Sequence, residues 1–465
     1  MKIRFTIILL ALLMVSMTGS AVIMVTTAEK VGHIKAMNGV NNGPMKADIS
    51  QIRDNFTAYK AARIPFARTH DSSFEEAYGS EHTVDITAIF PDFSKDANDP
   101  KSYDFDLTDF YLSNILDAGT EVFFRLGQRI HNAPKKYDVF PPKDFKKWAV
   151  ICEHIIRHYN EGWADGHHWN IRYWEIWNEA DLSAYDDVWI KDPRTWGGTE
   201  EQFHELFIVT ARHLKKCFPN LKIGGPALAG YEDWGERFIK KLEAEHVPLD
   251  FYSWHVYAKY PWYMSSFAER ARKLLDDHGY KECESVLSEW NYLRGWTEDF
   301  VYTVKQLPEE KGASFVTTVM TMCQDAPVDI LLYYDARIST IWNGLFDLRS
   351  LEPAKTYYAF YAWSKLAEYG TQVKVTVNRE TEKDIYVTAA TADDGKTAVM
   401  VTRFNEDNNV VAKETVQLKI DKQLPPVVKA HLTDDSHIYT EIPLETKGDS
   451  ITLKLQPNAF MVIDL

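Results

Sequence analysis

Short apolar segments alternate with amphipathic segments over residues 34–367, and this alternation predicts repeated βα units around a parallel sheet. Helical patterns such as the one over residues 145–159 repeat apolar side chains every three or four positions. Eight short runs have the composition of buried strands. They are residues 34–39, 63–68, 121–126, 171–177, 221–225, 250–256, 284–288 and 329–334. Eight such units predict a (β/α)8 TIM barrel with some long loops, an α/β fold.

The pattern changes near residue 369. Val373, Val375 and Val377 alternate with polar residues, and similar period-two runs continue to the C-terminus between polar turns. Alternation without helices predicts an antiparallel β-sandwich. We therefore expect a catalytic barrel over residues 29–368 and an accessory β-sandwich domain over residues 369–465. The short segment 29–32 is a further candidate for the second domain.

The N-terminus has the pattern of a secretory signal peptide over residues 1–28. Lys2 and Arg4 precede an apolar run over residues 5–15, and small residues follow near Ala21 and again near Ala28. We expect cleavage at one of these two places and export to the periplasm or beyond. An uncleaved anchor is the alternative.

Composition narrows the function. The 14 Trp and 24 Tyr fit a ligand with flat apolar faces, such as a sugar, although most of these rings are expected in the core. The net charge of −15, without a long basic run, argues against nucleic acid and anionic membranes as partners. The four cysteines form no CxxC pair, the glycines at 224–230 lack nucleotide-loop spacing, and His167-His168 shows no evident third ligand. We expect no metal and no cofactor.

Two glutamates stand where two of the predicted strands end. Glu179 follows the fourth barrel strand in the sequence Tyr-Trp-Glu-Ile-Trp-Asn-Glu, and Glu289 ends the seventh in Ser-Glu-Trp-Asn. The active site of such a barrel lies at the C-terminal ends of its strands, so both carboxyl groups would face one pocket. A pair of carboxyl groups is what hydrolysis of a glycosidic bond requires. A helix-end charge or a salt bridge is the alternative for either residue taken alone.

These segments resemble glycoside hydrolase family 39 of clan A. Residues 174–181 are similar to its acid/base motif and residues 288–291 to its nucleophile strand, and other similar segments lie at 38–44, 68–71, 224–227 and 250–257. Ala180 departs from the proline that is usual there. The resemblance implies a retaining mechanism with Glu179 as acid/base and Glu289 as nucleophile. It also implies carboxyl groups about 5–5.5 Å apart.

The resemblance also implies roles for neighbouring residues. Asn178 would bind the 2-hydroxyl of the sugar, and Tyr257 would hydrogen-bond the nucleophile. His255 and Tyr257 are two residues apart on one strand, so both can point to the same face. There His255 would position Glu179 or a sugar hydroxyl. His70 would contact sugar hydroxyls and Arg68 would lie near the nucleophile.

Other side chains are candidates for the surroundings of the pocket. Glu175 is expected deeper in the barrel, paired with Arg68. The remaining pocket candidates are Gln128, Tyr334, Asp335 and the substrate-binding candidate Trp342. Arg337 could hold a sugar carboxylate, although surface pairing is favoured.

The sequence therefore predicts a retaining glycosidase acting on an oligo- or polysaccharide, with β-xylosidase-like specificity. A uronic-acid-releasing, iduronidase-like enzyme or another family 39 glycosidase is the alternative within the class. A non-catalytic carbohydrate-binding protein is the alternative outside it.

Overall fold

The fold is described by a computed structural model that covers residues 21–46, 54–70, 83–132, 134–182, 191–338, 340–378 and 384–465. Eight parallel strands form a closed barrel, as predicted. A strand of the second domain, β1 (Ala21–His33), precedes them. The barrel strands are β2 (Ala36–Asn41), β3 (Phe66–Arg68), β4 (Glu121–Leu126), β5 (Tyr173–Ile176), β6 (Lys222–Leu228), β7 (Phe251–Ala258), β8 (Glu284–Tyr292) and β9 (Ile330–Tyr333).

Helices follow the strands around the barrel. The described helices are α1 (Phe56–Ala61), α2 (Ile86–Ile89), α3 (Asp106–Asp117), α4 (Phe145–Glu161), α5 (Glu200–Cys217), α6 (Glu232–Ala244), α7 (Trp262–Asp277), α8 (Phe300–Gln306), α9 (Glu310–Gln324) and α10 (Lys355–Tyr369), with a 3₁₀ turn at Pro100–Ser102. Helix α5 begins with a reciprocal capping box between Thr199 and Gln202. Helix α4 ends at Gly162, whose φ of 76° suits a residue without a side chain.

The lower half of the barrel interior is filled by apolar side chains. They are Phe66, Phe123, Tyr173, Phe251, Val286, Ile330 and Leu332. Aromatic rings pack closely in this layer, with the Phe123 and Tyr173 centroids 5.1 Å apart. This layer fills the barrel at the N-terminal ends of its strands. A ligand site is therefore expected at the C-terminal ends, where the strands carry polar residues.

Two barrel strands differ in length from the prediction. Arg63 has a φ of 46°, which no strand residue adopts, so β3 begins at Phe66 and not at residue 63. Strand β8 continues to Tyr292, so Glu289 lies within the strand. A register shift places Leu287 opposite Trp254 but Glu289 opposite His255. Ser288 is thus the extra residue of a β-bulge. Because of this extra residue, the side chain of Glu289 points into the barrel interior, as that of Val286 does.

The second domain is a closed ring of nine strands. Beyond β1 they are β10 (Thr371–Asn378), β11 (Ile385–Thr391), β12 (Thr397–Arg403), β13 (Glu414–Ile420), β14 (Val427–Thr433), β15 (Thr440–Lys447), β16 (Ser450–Leu455) and β17 (Ala459–Asp464). The ring order is β1-β10-β11-β12-β17-β14-β15-β16-β13. The pairs are antiparallel, as predicted, except for the parallel pair of β1 and β13. The ring is closed by β1, which lies between β10 and β13.

The predicted domain boundary therefore moves at the N-terminus. Residues 21–33 belong to the second domain and not to a signal peptide or the barrel. Their apolar residues directly follow the apolar leader, so the two patterns merge in the sequence. Residues 1–20 lie outside the described residues, and a signal peptide there remains a prediction. Cleavage near Ala21 would leave β1 whole, whereas cleavage near Ala28 would remove more than half of it.

Two further properties concern the described residues alone. No helix among them is both long and apolar enough to cross a bilayer. Cys152, Cys217, Cys283 and Cys323 are all free thiols, so no disulfide forms within this fold.

Strand β1 should contribute to stability through one face only. Ile23 is fully buried, while Met24 is 41% exposed. We expect Ile23→Ala to lower the free energy of unfolding of the second domain by about 2–5 kcal/mol, because it leaves a cavity in the core. The control Met24→Ala should change it by less than about 0.5 kcal/mol. Urea unfolding measures both, and equal effects would show that β1 does not close the domain core.

Candidate active site

Glu179 and Glu289 are brought together at the C-terminal end of the barrel. Glu179 follows β5, and Glu289 projects from β8. A carboxylate oxygen of Glu179 and a carboxylate oxygen of Glu289 lie within 4.8 Å of each other. Both residues are buried, with exposed fractions of 7% and 3%. The geometry thus joins the two carboxyl groups that the sequence separates.

The backbone around Glu179 is held in an uncommon conformation. Trp177 and Glu179 have φ values of 72° and 50°, in the left-handed region that residues other than glycine seldom adopt. Hydrogen bonds compensate: Trp177 N donates to Leu126 O at 2.8 Å, and Glu179 N donates to Ala227 O at 2.9 Å. The hydroxyl of Thr195 donates to Glu179 O at 2.8 Å. The neighbouring strands therefore fix where the carboxyl group points, as is common for strained residues at functional sites.

Arg68, at the end of β3, links the site residues through its guanidinium group. Nε donates to Glu175 Oε2 at 2.6 Å, which confirms the predicted pair. Nη1 donates to Glu289 Oε1 at 2.7 Å, and Nη2 donates to Asn178 Oδ1 at 2.7 Å. Burial opposes the charge, but the carboxylates of Glu175 and Glu289 outweigh it and raise the pKa of Arg68. Arg68 is thus a permanent cation beside Glu289.

The environment of Glu289 contains opposing influences. Burial raises its pKa above the ordinary value, and the nearby charge of Glu179 acts in the same direction. Arg68 and the hydroxyl of Tyr257 lower it, as does His255 when its ring is protonated. The Tyr257 hydroxyl donates to Glu289 Oε2 at 2.8 Å, as predicted, while Arg68 holds Oε1. Both oxygens are oriented by donors that favour the ionised form.

His255 lies between the two carboxyl groups. Its Nδ1 shares a hydrogen bond of 2.8 Å with Glu179 Oε1 and lies 3.7 Å from Glu289 Oε2. Burial lowers the pKa of His255 to about 4. The ring is therefore neutral near pH 7, and its bond to Glu179 can keep the carboxyl group in place with or without a proton. This agrees with the predicted positioning of Glu179.

Asn178 and His70 lie against the same site. Asn178 Oδ1 accepts from Arg68, which leaves Nδ2 buried and without a hydrogen-bond partner among the described residues. A donor fixed in this way is suited to a sugar hydroxyl, although binding of the 2-hydroxyl remains a prediction. His70 is fully buried, and its Nε2 lies 3.6 Å from Glu289 Oε1. The structure thus places His70 beside the nucleophile candidate, where a contact with sugar hydroxyls remains a prediction.

Aromatic rings form one side of the site. The ring centroid of Trp342 lies 5.7 Å from that of Tyr257 and 6.4 Å from that of Tyr334. Trp296, which is 61% exposed, contacts both Tyr257 and Trp342 at centroid distances of 5.6 and 5.7 Å. Trp296 was not predicted, because a single exposed tryptophan after a strand carries no motif.

The other pocket candidates are engaged with protein groups. Gln128 is buried, and its Oε1 accepts from Thr87 Oγ1 at 3.0 Å. Arg337 donates to Asp335 Oδ2 at 2.9 Å and to the Tyr334 hydroxyl at 3.1 Å. The predicted pairing of Arg337 is thus present, but it is largely buried and not at the surface, with the Arg337 side chain 13% exposed.

Several supporting residues were missed by the sequence reasoning. Asn41 donates to Ser288 O at 2.8 Å and to Leu332 O at 2.9 Å, and it accepts from Arg68. Asp181 accepts from Ala229 N at 2.9 Å. Burial raises the pKa of Asp181 to about 7, and the charge of Glu179 adds to this effect. Asn41 and Asp181 lie within segments 38–44 and 174–181, which resemble family 39. No feature of these segments, however, predicted a role for either residue.

Three groups of described side chains could hold a metal ion by distance alone, one of them formed by Glu153, His213 and Cys217. Glu179, His255 and Glu289 each offer a ligand atom, but the guanidinium of Arg68 lies 2.7 Å from Glu289 and disfavours a second cation. Asp109, His158 and His167 form another group at the helix side of the barrel. His167 therefore has neighbours that the sequence did not reveal. Asp109 accepts hydrogen bonds from both rings at 3.1 Å, which accounts for the arrangement with protons alone.

The chain is similar to known proteins in sequence and in fold. The model of glycosyl hydrolases family 39 matches residues 48–279, about half of the chain, including Glu179 and the strands around it. The chain belongs to glycoside hydrolase family 39. A segment of 125 residues is 34% identical to a β-xylosidase of Geobacillus stearothermophilus, covering 26% of this chain. The chain thus spans only 22% of that enzyme's length in the match.

Two longer similarities extend beyond the barrel centre. An α-1,4-L-rhamnosidase of Formosa agariphila is 20% identical over 372 residues, covering 73% of this chain and 71% of that enzyme. The crystal structure of a glucosidase from Croceicoccus marinus superposes with a TM-score of 0.76 at 21% identity, covering 96% of this chain and 98% of that one. The last similarity shows that the two-domain fold is shared by this family 39 member and the glucosidase.

The hydrogen bond from Tyr257 should tune the acidity of Glu289. Tyr257→Phe removes a donor that stabilises the ionised carboxylate, so we expect the pKa of Glu289 to rise further above its ordinary value. Titration of carboxyl ¹³C shifts in Glu-labelled protein measures this directly. Tyr173→Phe, which removes a hydroxyl bonded to Glu284 in the lower barrel, should leave the pKa of Glu289 unchanged. An unchanged Glu289 in Tyr257→Phe would rule out the tuning role.

Proposed function

We propose that the protein is a retaining glycosidase with Glu179 as general acid/base and Glu289 as nucleophile. The observation that carries the proposal is the approach of the two carboxylates within 4.8 Å. Retaining enzymes place their carboxyl groups about 5–5.5 Å apart, whereas inverting enzymes need about 6.5–9.5 Å to admit a water molecule. The short separation favours direct attack by Glu289 on the sugar carbon.

In the first step, Glu289 attacks the anomeric carbon while Glu179 gives its proton to the leaving oxygen. Arg68 and Tyr257 hold the two oxygens of Glu289, so the side chain can be oriented for attack. The negative charge of Glu289 favours a protonated Glu179 at this stage. The products of the step are a glycosyl ester on Glu289 and the released aglycone.

In the second step, water enters from the side vacated by the aglycone. Formation of the ester has removed the charge of Glu289, which favours an ionised Glu179 that takes a proton from the water. The water oxygen attacks the anomeric carbon and regenerates Glu289. Asn178 Nδ2 is in place to donate to a hydroxyl whose interaction strengthens as charge develops on the sugar.

Among sugars, a neutral β-xyloside-like substrate is favoured. Support comes from the match to a β-xylosidase and from Arg337, whose guanidinium is already bound by Asp335 and the Tyr334 hydroxyl. An iduronidase-like reaction would need a cation available to the sugar carboxylate. We propose action on an oligo- or polysaccharide after export of the protein, in keeping with the signal peptide predicted for residues 1–28.

An L-rhamnoside is the second candidate substrate. The observation that favours it is the α-1,4-L-rhamnosidase match, which covers 73% of the chain where the xylosidase match covers 26%. Comparing kcat/KM for nitrophenyl β-D-xyloside, α-L-rhamnoside and α-L-iduronide distinguishes the candidates. Turnover of none of these, and of no natural glycan, would favour a carbohydrate-binding protein instead.

Glu289→Ala should lower turnover by at least about a thousandfold, because no other group can form the covalent intermediate. Azide should restore part of the activity by attacking from the vacated face, and the glycosyl azide should have inverted configuration. Product ¹H NMR measures the configuration. Glu284→Gln, at the opposite end of the same strand, is the matched control and should keep most of the activity. Failure of azide to rescue Glu289→Ala would remove Glu289 as nucleophile.

The loss of kcat/KM in Glu179→Ala should depend on the leaving group of the substrate. Loss of the acid should matter little for a dinitrophenyl glycoside, whose leaving group departs without a proton, and greatly for an alkyl glycoside. The ratio of the two kcat/KM values, relative to wild type, measures the effect. Azide should here give a glycosyl azide of retained configuration, because Glu289 still forms the ester. An equal loss on both substrates would point to a structural role for Glu179.

A further inference from the structure

A cleft of about 1140 Å³ lies where the barrel meets the second domain. On the barrel side it is lined by residues 259–262 after β7 and by Arg294 after β8. On the other side it is lined by the ends of β11 and β12 and the loop 404–410. Strands β7 and β8 end on the face of the barrel that carries Glu179. This interdomain cleft therefore opens on the same face as the candidate active site.

Two stacked aromatic rings form part of the cleft. Tyr260 and Trp262 are 42% and 51% exposed, and their centroids are 6.3 Å apart with only 15° between the ring planes. Lys259 covers the Tyr260 ring at 5.2 Å. Nearly parallel exposed rings present an extended flat surface of the kind on which the apolar C–H faces of sugar units can lie.

The polar walls of the cleft are held in place by contacts between the domains. Glu406 of the second domain accepts from Arg294 Nε at 2.6 Å and from the Tyr292 hydroxyl at 2.9 Å. Lys311 donates to the backbone oxygen of Glu406 at 3.0 Å. Sites at domain interfaces are common places for ligands, and here the interface is preformed.

The charges of the lining favour a neutral ligand. Four carboxylates line the cleft, against three cationic side chains. Of these cations, Arg294 is bound to Glu406, and Arg403 is bound to Asp384 at 3.0 Å. An anionic polysaccharide would need cations that are available to it, as sulfate and carboxylate groups do elsewhere.

One exposed aromatic ring contacts the surroundings of the catalytic residues and lies close in sequence to the cleft lining. Trp296 contacts Tyr257, whose hydroxyl is bonded to Glu289, and Trp296 is two residues from Arg294 in the cleft lining. We propose that the interdomain cleft binds distal units of a neutral polysaccharide chain whose scissile bond lies at Glu179 and Glu289. This inference rests on the proposed function, since it assigns the remainder of the same substrate.

The first test compares substrates of different length. Trp262→Ala and Tyr260→Ala should lower kcat/KM about five- to tenfold on soluble β-1,4-xylan through a higher KM, and leave it unchanged on nitrophenyl β-xyloside. Tyr263→Ala is the matched control, because this ring is 46% exposed beside Trp262 but does not line the cleft. Equal losses on both substrates, or no loss on xylan, would overturn the proposal.

The second test measures binding without turnover. Migration of the Glu289→Gln protein through a gel containing xylan should be retarded, and Trp262→Ala should remove most of the retardation. This readout remains informative if the protein hydrolyses no glycoside, because failure of the proposed function leaves gel binding to be measured. Absence of retardation, retardation that survives Trp262→Ala and Tyr260→Ala, or retardation only by a sulfated polysaccharide would overturn the assignment of the cleft.

Discussion

The site depends on the hydrogen bonds and ion pairs of the Arg68 guanidinium group. It is fully buried and joins Glu175, Asn41, Asn178 and Glu289, which come from or follow three different strands. A buried cation is tolerated only where charges and acceptors surround it. Removing Arg68 would leave two buried carboxylates without their cation, an arrangement that costs about 3–5 kcal/mol for a single broken pair. The barrel end and the chemistry are therefore stabilised by the same contacts.

The two catalytic candidates differ in what holds them. Glu289 is fixed at both oxygens by donors, whereas Glu179 shares a bond with His255, whose pKa of about 4 keeps the ring neutral. Charged and hydroxyl donors favour an ionised Glu289 against the effect of its burial. A neutral ring imposes no such preference on Glu179. This asymmetry supports the proposed roles of Glu289 as nucleophile and Glu179 as acid/base.

The parallel strands were predictable because strands buried on both faces appear as short apolar runs. Glu179 and Glu289 were predictable because polar residues that follow such runs mark the active end of the barrel. The bulge at Ser288 was not, since an extra residue leaves no trace in the composition of a strand. The bulge nevertheless decides which way Glu289 points.

Other features depended on contacts between distant parts of the chain. The parallel pairing of β1 with β13 joins the start of the fold to its end, and no local pattern encodes it. The same holds for the bond between Arg294 and Glu406, which shapes the interdomain cleft. By contrast, the pair of Arg68 and Glu175 was inferred from the position of Glu175 four residues before Glu179, deeper in the barrel.

In the proposed mechanism, the close approach of Glu179 and Glu289 leads to two successive displacements at one carbon. The most direct measurement is ¹H NMR of the sugar released in the first minutes of hydrolysis, before mutarotation mixes the anomers. Two displacements predict that the first anomer to accumulate has the configuration of the substrate. Initial appearance of the opposite anomer would show a single displacement by water and would rule out a covalent intermediate on Glu289.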